Sequence, residues 1–391
     1  MTTTEQDAST QHHRPLVAIL GGGQLGRMLA LAGANLGIRT RVLDPQAEAC
    51  AGEVAELVVA PFDDCDALRR LVDGADVLTW EFESVPQEAI DFCTELVPVR
   101  PGSASLSASR DRLIERDHLE SAGFRTPEYR PVASTGDIER ALDEIGLPAV
   151  LKARTGGYDG KGQSIIRERR QIAEAWRSIG ERPALVEQLV AFDREIALLG
   201  VRSLDGEVRL YPPIESVHTG GILTEARAPA DGLRPKALDR AIDAAEKLVE
   251  SLEHVGTFAV ELFDIGNDLL ANEVAMRVHN TGHWTIEAAS TSQFENHLRA
   301  ILGLPLGRVK AHRPTRMLNL IGTVPPLDML ASVPDAHAHI YGKRAQAGRK
   351  LGHVTIIARN EDKLDERARR VHHLISESRR AVDGVPVEGV S

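Results

Sequence analysis

Short apolar runs alternate with amphipathic segments through the first quarter of the chain. Leu16–Leu20 is apolar at every position, as in a buried strand. Apolar residues then recur at helical spacing between about Leu25 and Leu36. The alternation continues with strands at Ile38–Leu43, Leu57–Ala60, Asp76–Phe82 and Val97–Arg100, and with helices near Asp64–Val72 and Pro86–Thr94. This β/α order predicts a Rossmann-like domain over residues 15–108.

Two units with a different pattern are predicted for residues 109–190 and 191–308. The first opens with Ser109–Ala122, a helix rich in charged residues, whose charges predict a solvated face. Its strands are expected at Pro148–Lys152 and Ala184–Gln188. The second unit has one amphipathic helix between Leu238 and Leu252. Its strand patterns lie at Phe192–Arg202, Glu207–Tyr211, Thr257–Asp264 and Leu269–Glu273.

The last part of the chain predicts a small C-terminal domain over residues 309–378. Strands are expected at Leu318–Ile321 and Gly352–Ile357, followed by a helix at Leu364–Ile375. Residues 1–14 and 379–391 are polar and without periodicity, and they are predicted as tails outside the domains.

Length, charge and cysteine content narrow the class of protein. A chain of 391 residues is too long for one hydrophobic core. The formal net charge of −11 argues against a general nucleic-acid partner. Gly21–Gln24 and Arg27 interrupt the apolar N-terminal segment, so no membrane span is predicted. Cys50, Cys65 and Cys93 have no C-x-x-C spacing, which predicts neither a disulfide framework nor a zinc site and fits a reducing cytosol.

The N-terminal glycines are the first candidate for ligand binding. The segment Gly21–Gly26 follows a strand with the spacing G-x-G-x-x-G, and Asp44 ends the next strand. This pattern is typical of a dinucleotide site, but it also suits any first strand that approaches a small phosphate ligand. Glu81 and Glu83 come just after another strand, where open α/β sheets place ligand groups. Two solvated loop acids are the alternative interpretation of that pair.

A second glycine-rich segment follows the strand that ends at Lys152. Four glycines and Lys161 lie within Gly156–Gly162. Glycines allow successive backbone N–H groups to approach phosphate oxygens, and the two lysines supply positive charge, so the segment indicates a triphosphate site. The Walker order is absent. A glycine-rich surface hairpin without a ligand is the alternative.

An acidic pair far downstream supports the triphosphate interpretation. Glu261 and Glu273 lie 12 residues apart on two strands joined by the turn Asp264–Asp268, so their side chains are expected to face the same way. With Asn272 they offer oxygen ligands that suit Mg²⁺. The polar stretch Arg277–Thr285 follows and indicates an anionic, hydrogen-bonding ligand, with an ordinary loop as the alternative.

Five segments together resemble the N5-carboxyaminoimidazole ribonucleotide synthase family of ATP-grasp enzymes. They are Gly22–Met28, Thr155–Gln163, Asn272–Glu273, His279–Thr285 and Gly348–His353. The resemblance extends over about residues 15–375. It implies a mixed α/β and α+β fold: an N-terminal Rossmann-like (pre-ATP-grasp) domain, an ATP-grasp domain and a small C-terminal domain. It also implies a ligase that converts ATP, bicarbonate and 5-aminoimidazole ribonucleotide to N5-carboxyaminoimidazole ribonucleotide, ADP and phosphate, through carboxyphosphate, in purine synthesis.

The resemblance assigns roles to individual positions. For ATP these are Arg112, Lys152, Gly157, Tyr158, Asp159, Gly160, Lys161, Gly162, Gln163, Glu187, Gln188, Leu189, Val190, Glu195, His218, Asn272 and Glu273. For Mg²⁺, or Mn²⁺ as a substitute, they are Glu261 and Glu273. For the ribonucleotide they are Gln24, Leu25, Glu81, Lys343 and Arg349. The implied catalytic residues are Arg277, His279, Tyr158 and Asp159.

The resemblance further implies a cytoplasmic homodimer that hands its product to N5-carboxyaminoimidazole ribonucleotide mutase. The chain departs from the family at Met276, at Gln346–Ala347 and at Arg116, where a lysine is frequent. Two other functions stay open at this point. The N-terminal glycines fit an NAD-dependent oxidoreductase, and the nucleotide motifs also fit an inactive ATP-binding protein.

Overall fold

The computed structural model describes residues 13–157 and 162–382. The N-terminal part contains β1 (Leu16–Leu20), α1 (Gln24–Asn35), β2 (Arg39–Asp44), β3 (Glu56–Val59), α2 (Cys65–Val72), β4 (Val77–Trp80) and α3 (Gln87–Thr94). Its four strands are parallel, in the order β3-β2-β1-β4. This confirms the Rossmann-like pattern. The predicted strand Val97–Arg100 is wrong, because only Val99 pairs with the sheet, opposite Leu78.

The charged segment after this sheet forms two helices instead of one, α4 (Ser103–Arg110) and α5 (Arg112–Ala122). Asp111 separates them and caps α5 by accepting a hydrogen bond from Leu113 N at 2.9 Å. The prediction of a solvated face is also wrong for part of α5. Glu115 and Arg116 are 3% and 0% exposed, because α5 packs against a helix and a strand of the second domain.

A small four-stranded subdomain follows. It contains β5 (Tyr129–Val132), α6 (Thr135–Ile145), β6 (Ala149–Ala153), β7 (Gln163–Ile166), α7 (Ile172–Ser178) and β8 (Ala184–Gln188). Its strands are antiparallel, in the order β5-β8-β6-β7. The buried core of this subdomain comes from residues 132–186 alone. The subdomain therefore has a hydrophobic core separate from the rest of the protein.

The remaining strands form one antiparallel sheet of nine strands. Its strands are β9 (Arg194–Arg202), β10 (Val208–Leu210), β11 (Ile214–Thr219), β12 (Ile222–Ala228), β13 (Gly256–Asp264), β14 (Leu269–Ala275), β15 (Thr315–Ile321), β16 (Ala336–Ile340) and β17 (Lys350–Ile357). Eight follow the order β14-β13-β9-β11-β12-β15-β17-β16, and β10 pairs with β9. The pairing of β12 with β15 carries the sheet across the predicted boundary between residues 308 and 309. The β11–β12 hairpin and β16 were not predicted.

Helices pack against strands at both ends of the strand order of this sheet. They are α8 (Pro235–Ser251), α9 (Thr285–Ala288), α10 (Gln293–Ile301), α11 (Leu327–Ala331) and α12 (Glu361–Val382). α10 packs against α1, so the N-terminal domain and the large sheet share a core. α12 extends beyond the predicted end at Ile375, and residues 379–382, predicted as tail, are helical. None of the described helices is both long and apolar enough to span a bilayer.

Candidate active site

A cleft of about 820 Å³ opens where the N-terminal domain, the small subdomain and the large sheet meet. Thirteen of the residues assigned from the sequence line it: Gln24, Leu25, Glu81, Arg112, Gly157, Gln163, Glu195, His218, Glu261, Asn272, Glu273, Arg277 and His279. Others assigned from the sequence are not part of its wall: Lys152, Gly162, Glu187, Gln188, Leu189, Val190, Lys343 and Arg349. Tyr158, Asp159, Gly160 and Lys161 lie outside the described residues.

The N-terminal glycine turn is occupied by the protein's own carboxylates. Glu81 accepts hydrogen bonds from Gly23 N and, at 2.5 Å, from Gly26 N, while Asp44 accepts from Gly22 N at 2.9 Å. A side chain at Gly21, whose φ is +106°, would collide with Glu81. Burial raises the pKa of Glu81, and the two N–H groups oppose that rise. These are the N–H groups a dinucleotide pyrophosphate would need, so the turn does not favour the oxidoreductase alternative.

The acidic pair lies on the hairpin β13–β14, as the spacing predicted. Glu261 pairs directly with Glu273, whereas the next pair is Leu262 with Ala271. Asn272 is therefore the extra residue of a β-bulge, and both Asn272 and Glu273 lie opposite Glu261. In a regular ladder Glu261 would face Asn272 instead. The bulge thus brings two carboxylates and one amide to the same point of the cleft.

The pKa values of the two carboxylates are shifted in opposite directions. Burial and the neighbouring Glu273 raise the pKa of Glu261 to about 7. Burial also opposes ionisation of Glu273, but Arg112 and Lys152 outweigh it and lower the pKa of Glu273. Arg112 donates from both terminal nitrogens to Glu273 Oε2, each at 3.3 Å. The side chain of Glu273 is still 41% open to the cleft, where a ligand can reach it.

This donor set fits Mg²⁺. Carboxylate and amide oxygens are its preferred protein ligands, and a cation between Glu261 and Glu273 would remove the repulsion that raises the pKa of Glu261. In the described ranges, no group of three or more His, Cys, Asp or Glu side chains is placed to hold a metal ion. The site formed by Glu261, Glu273 and Asn272 therefore suits an ion whose remaining ligands are nucleotide phosphates.

A row of buried charges lies behind the cleft wall. Glu187 is 1% exposed, and its two oxygens contact Arg116 and Lys152. Burial opposes ionisation of Glu187, but the two cations lower its pKa to about 2. Burial also lowers the pKa of Lys152, against the pull of Glu187. The sequence analysis missed Glu115 as a site residue, because charged helices are usually solvated, and it named Arg116 only as a departure from the family.

The loop after β14 carries Arg277 and His279. Arg277 donates to Glu83 Oε2 at 2.8 Å, which makes Glu83 a partner in the site and not a solvated loop acid. His279 is fixed by Gln293, which accepts from its backbone N–H at 2.8 Å and donates to its carbonyl at 2.6 Å. Burial, Arg277 and Lys350 lower the pKa of His279 well below its ordinary value, so its imidazole is neutral at pH 7. No sequence motif marked Gln293.

The C-terminal cations lie in the segment before β17. Lys343 donates a hydrogen bond across the domain boundary to Gln24 Oε1. Arg349 contacts the carbonyl of Arg344 at 3.5 Å and lies outside the cleft wall. Lys350, which the sequence analysis did not assign, does line the cleft. Whether Arg349 or Lys350 faces the cleft depends on the residue at which β17 begins, and the sequence did not predict that residue.

Comparison with known families divides the chain into the same three parts. Residues 15–110 match the ribonucleotide synthetase preATP-grasp domain. Residues 117–294 match the ATP-grasp domain. Residues 315–367 match the phosphoribosylaminoimidazole carboxylase C-terminal domain. The mixed fold class with an ATP-grasp centre, expected from the sequence, is confirmed.

Individual proteins are similar over nearly the whole chain. The N5-carboxyaminoimidazole ribonucleotide synthase of Pseudomonas aeruginosa is 45% identical, over 92% of this chain and 99% of that protein. The crystal structure of the synthetase from Thermus thermophilus has a TM-score of 0.88 and 46% identity, covering 92% of this chain and 98% of that one. The Aspergillus clavatus enzyme, crystallised with ADP and 5-aminoimidazole ribonucleotide, has a TM-score of 0.86 and 31% identity, covering 94% and 99%.

Proposed function

The chain belongs to the N5-carboxyaminoimidazole ribonucleotide synthase family, and from this premise we propose that it carboxylates 5-aminoimidazole ribonucleotide with bicarbonate, driven by ATP. It is an ATP-grasp ligase. The products are N5-carboxyaminoimidazole ribonucleotide, ADP and phosphate, in purine biosynthesis. The observation that carries this proposal is the single cleft in which the acidic pair Glu261–Glu273 lies beside Arg277 and His279.

The nucleotide occupies the part of the cleft between the small subdomain and the large sheet. Arg112, Lys152 and the glycine segment that includes Gly157, Gly162 and Gln163 contact the phosphates, because they supply cations and backbone N–H groups there. The connecting segment Glu187–Val190 binds the edge of the adenine ring. The remaining nucleotide contacts come from Glu195 and His218, which already contact each other through Glu195 Oε2 and His218 Nδ1.

Glu261, Glu273 and the side-chain oxygen of Asn272 would hold Mg²⁺, with Mn²⁺ as a substitute. The ion neutralises charge on the triphosphate when it is bound. The ribonucleotide lies at the other end of the cleft, against Gln24, Leu25 and Glu81 of the N-terminal domain. Lys343 and Arg349 bind its 5′-phosphate, since a dianion requires cations.

The reaction proceeds in two transfers. A bicarbonate oxygen attacks the γ-phosphorus of ATP, the bond to the β-phosphate oxygen breaks, and ADP leaves carboxyphosphate behind. The exocyclic amine then attacks the carboxyl carbon, phosphate leaves and the amine loses a proton. Arg277 stabilises the anionic intermediate, and neutral His279 is suited to accept a proton because burial keeps it uncharged. Tyr158 and Asp159 complete the proposed catalytic set.

We also propose a cytoplasmic homodimer that passes its product to N5-carboxyaminoimidazole ribonucleotide mutase. The absence of disulfides among Cys50, Cys65 and Cys93, all of which are described and free, fits a reducing compartment. The product is a labile carbamate, so prompt transfer to a following enzyme would limit its loss.

Release of ADP is the decisive measurement. We expect ADP release with MgCl₂ that requires both 5-aminoimidazole ribonucleotide and bicarbonate. ATP binding without substrate-dependent ADP release would instead identify an inactive nucleotide-binding protein. Saturable NADH binding with no ATP binding would support the oxidoreductase and overturn the proposal.

A further inference from the structure

Arg116 lies at the end of a row of buried charges that leads into the nucleotide region. Its Nε and Nη2 atoms donate to Glu187 Oε1 at 2.9 and 2.5 Å. The other oxygen of Glu187 is 2.5 Å from Lys152 Nζ. Lys152 Nζ in turn donates to Asn272 Oδ1, on the bulge of β14, at 3.1 Å. Arg116 itself is 0% exposed and lines no part of the cleft.

This arrangement gives one buried carboxylate two hydrogen-bonded cations. A buried carboxylate is strongly unfavourable unless a cation balances it. If Arg116 were absent, Lys152 would be the remaining hydrogen-bonded counter-ion of Glu187 and would be held there. With Arg116 present, Glu187 stays neutralised whether or not Lys152 turns towards another anion. Arginine suits this task because its charge is permanent and its planar group donates two hydrogen bonds at once.

We propose that Arg116 is a positioning residue for nucleotide binding: it neutralises Glu187 and so leaves the ammonium group of Lys152 available to the phosphates. The inference rests on the proposed function only in placing nucleotide phosphates beside Lys152. Arg116 touches no substrate. It acts through Glu187, from α5 to β8 and then to β6, and so links the N-terminal end of the second domain to the phosphate-binding strand.

The test measures the dissociation constant for ADP in MgCl₂ by calorimetry, beside KM for both substrates. Arg116→Met should raise the ADP dissociation constant by about tenfold or more, the scale of one charge-assisted interaction. KM for 5-aminoimidazole ribonucleotide should change by less than about twofold, since that substrate lies at the far end of the cleft. Arg116→Lys gives up the paired hydrogen bonds but keeps the charge that balances Glu187, so it should stay within about threefold of the wild type for ADP.

A double variant that removes both Arg116 and the charge of Glu187 distinguishes this role from simple packing. Glu187→Gln alone removes the buried negative charge that holds Lys152, so adding Arg116→Met to Glu187→Gln should change the ADP dissociation constant by less than about threefold relative to Glu187→Gln alone. Arg316→Met is the matched control, because Arg316 is also largely buried between two carboxylates, Glu225 and Asp365, but away from the cleft. It should lower the melting temperature and leave ADP binding unchanged.

Two results would overturn the inference. One is ADP binding by Arg116→Met equal to that of the wild type. The other is an added loss of ADP affinity of about tenfold or more when Arg116→Met is introduced into Glu187→Gln. If Arg116→Met does not fold, the double variant and Arg116→Lys decide alone: a tenfold loss in the double variant relative to Glu187→Gln, or in Arg116→Lys relative to the wild type, overturns the proposal. The ADP measurement needs no carboxylation, so a wild-type protein that binds ADP without turnover would contradict the proposed function and leave this test intact.

Discussion

At the scale of single residues, the properties of the site depend on neighbours that are remote in sequence. The charge state of Glu261 depends on Glu273, and that of Glu273 on Arg112. Residue type and spacing singled out Glu261 and Glu273, and the family resemblance singled out Arg112. The sequence also singled out Glu83, which fixes Arg277, by its place after a strand. It did not indicate Gln293, which fixes His279, because an amide alone carries no motif. Glu115 was missed because its burial follows from the packing of α5.

Glu273→Gln tests the acidic pair. The variant keeps the shape of the side chain but removes the charge that would balance Mg²⁺, so turnover should fall by about 10²-fold or more. The measurement is steady-state ADP release at saturating substrates. Glu207→Gln, an exposed carboxylate paired with Arg209, is the control and should retain full turnover. Wild-type turnover in Glu273→Gln would contradict the metal assignment.

Glu115 gives a prediction for stability against pH. Burial outweighs Arg116 and Arg112 and raises its pKa from 4.5 to about 7. Between these two values the folded protein binds more protons than the unfolded chain, so this group makes the free energy of unfolding fall as pH rises. In Glu115→Gln that contribution disappears. The free energy of unfolding of the variant, relative to the wild type, should therefore increase from about pH 4.5 to 7, by up to about 1.4 kcal/mol per pH unit.

Urea denaturation at several pH values measures this difference. The amide of Glu115→Gln can still accept the hydrogen bond that Val274 N donates to Glu115 at 2.7 Å, so the comparison isolates the charge. Glu174→Gln, an exposed carboxylate on α7, controls for the loss of one negative charge. A difference between Glu115→Gln and the wild type that does not depend on pH would show that Glu115 ionises normally in the folded protein.

The C-terminal cations should separate binding of the ribonucleotide from the chemical step. Lys343→Gln removes a cation that reaches Gln24 across the cleft boundary, and Arg349→Ala removes a second one. Each should raise KM for 5-aminoimidazole ribonucleotide by about one to two orders of magnitude, the scale of a charge-assisted hydrogen bond to phosphate, with little change in KM for ATP. Lys363→Gln on the exposed face of α12 is the control. A selective rise in KM for ATP would argue against the assignment.

At the scale of elements, sequence patterns located strands better than they located their irregularities. The strands of the hairpin β13–β14 follow from strand-like apolar patterns, and the parallel strands of the N-terminal domain follow from short continuous apolar runs. The bulge at Asn272 does not, because the one-residue change of phase falls within the seven residues of β14, too few to show it in the sequence. The short β16, Ala336–Ile340, alternates small and polar residues and gave no apolar signal. The helix α5 was predicted with its correct end at Ala122, but which of its faces is buried depends on tertiary packing.

The bulge can be tested through its extra residue. Asn272→Ala removes the acceptor for Lys152 Nζ and one oxygen beside the acidic pair, while both glutamates keep their register. KM for ATP should rise by about tenfold, on the scale of one hydrogen bond to a charged group. Asn267→Ala, in the turn of the same hairpin, is the matched control and should behave as the wild type. Equal KM values in the two variants would mean that the amide of Asn272 contributes nothing to the nucleotide site.

At the scale of the whole molecule, the sequence predicted the number of domains but not the strand pairing and helix contact that join them. Composition and pattern changes separated the N-terminal domain, the central region and the C-terminal region. The continuity of one sheet from β14 to β16 depends on the pairing of β12 with β15, which lie about ninety residues apart in the chain. The position of the cleft follows from this sheet and from the contact of α1 with α10. Neither pairing carries a local sequence signal.

This architecture predicts that the small subdomain opens independently of the rest. Its core is built from residues 132–186 alone, whereas the N-terminal domain and the large sheet share two cores. The polar links from its strands to the rest include Glu187 with Arg116, Lys152 with Asn272 and Arg154 with Asp111. Once these links break, the subdomain can unfold through its own small core alone, which should require less free energy than global unfolding. Amide hydrogens of β6 and β8 should therefore exchange faster than those of β9 and β13.

Hydrogen–deuterium exchange followed by mass spectrometry at pH 7 measures this difference peptide by peptide. ATP with MgCl₂ should slow exchange in β6 and β8 selectively, because a ligand that bridges the subdomain and the large sheet binds only the closed arrangement. Peptides from α12 and from β17 beyond Leu351, which share a separate core with β15, serve as the internal control, with unchanged exchange. Exchange at one common rate in β6, β8, β9 and β13, equally slowed by nucleotide, would mean that the subdomain does not open separately and that nucleotide enters without its movement.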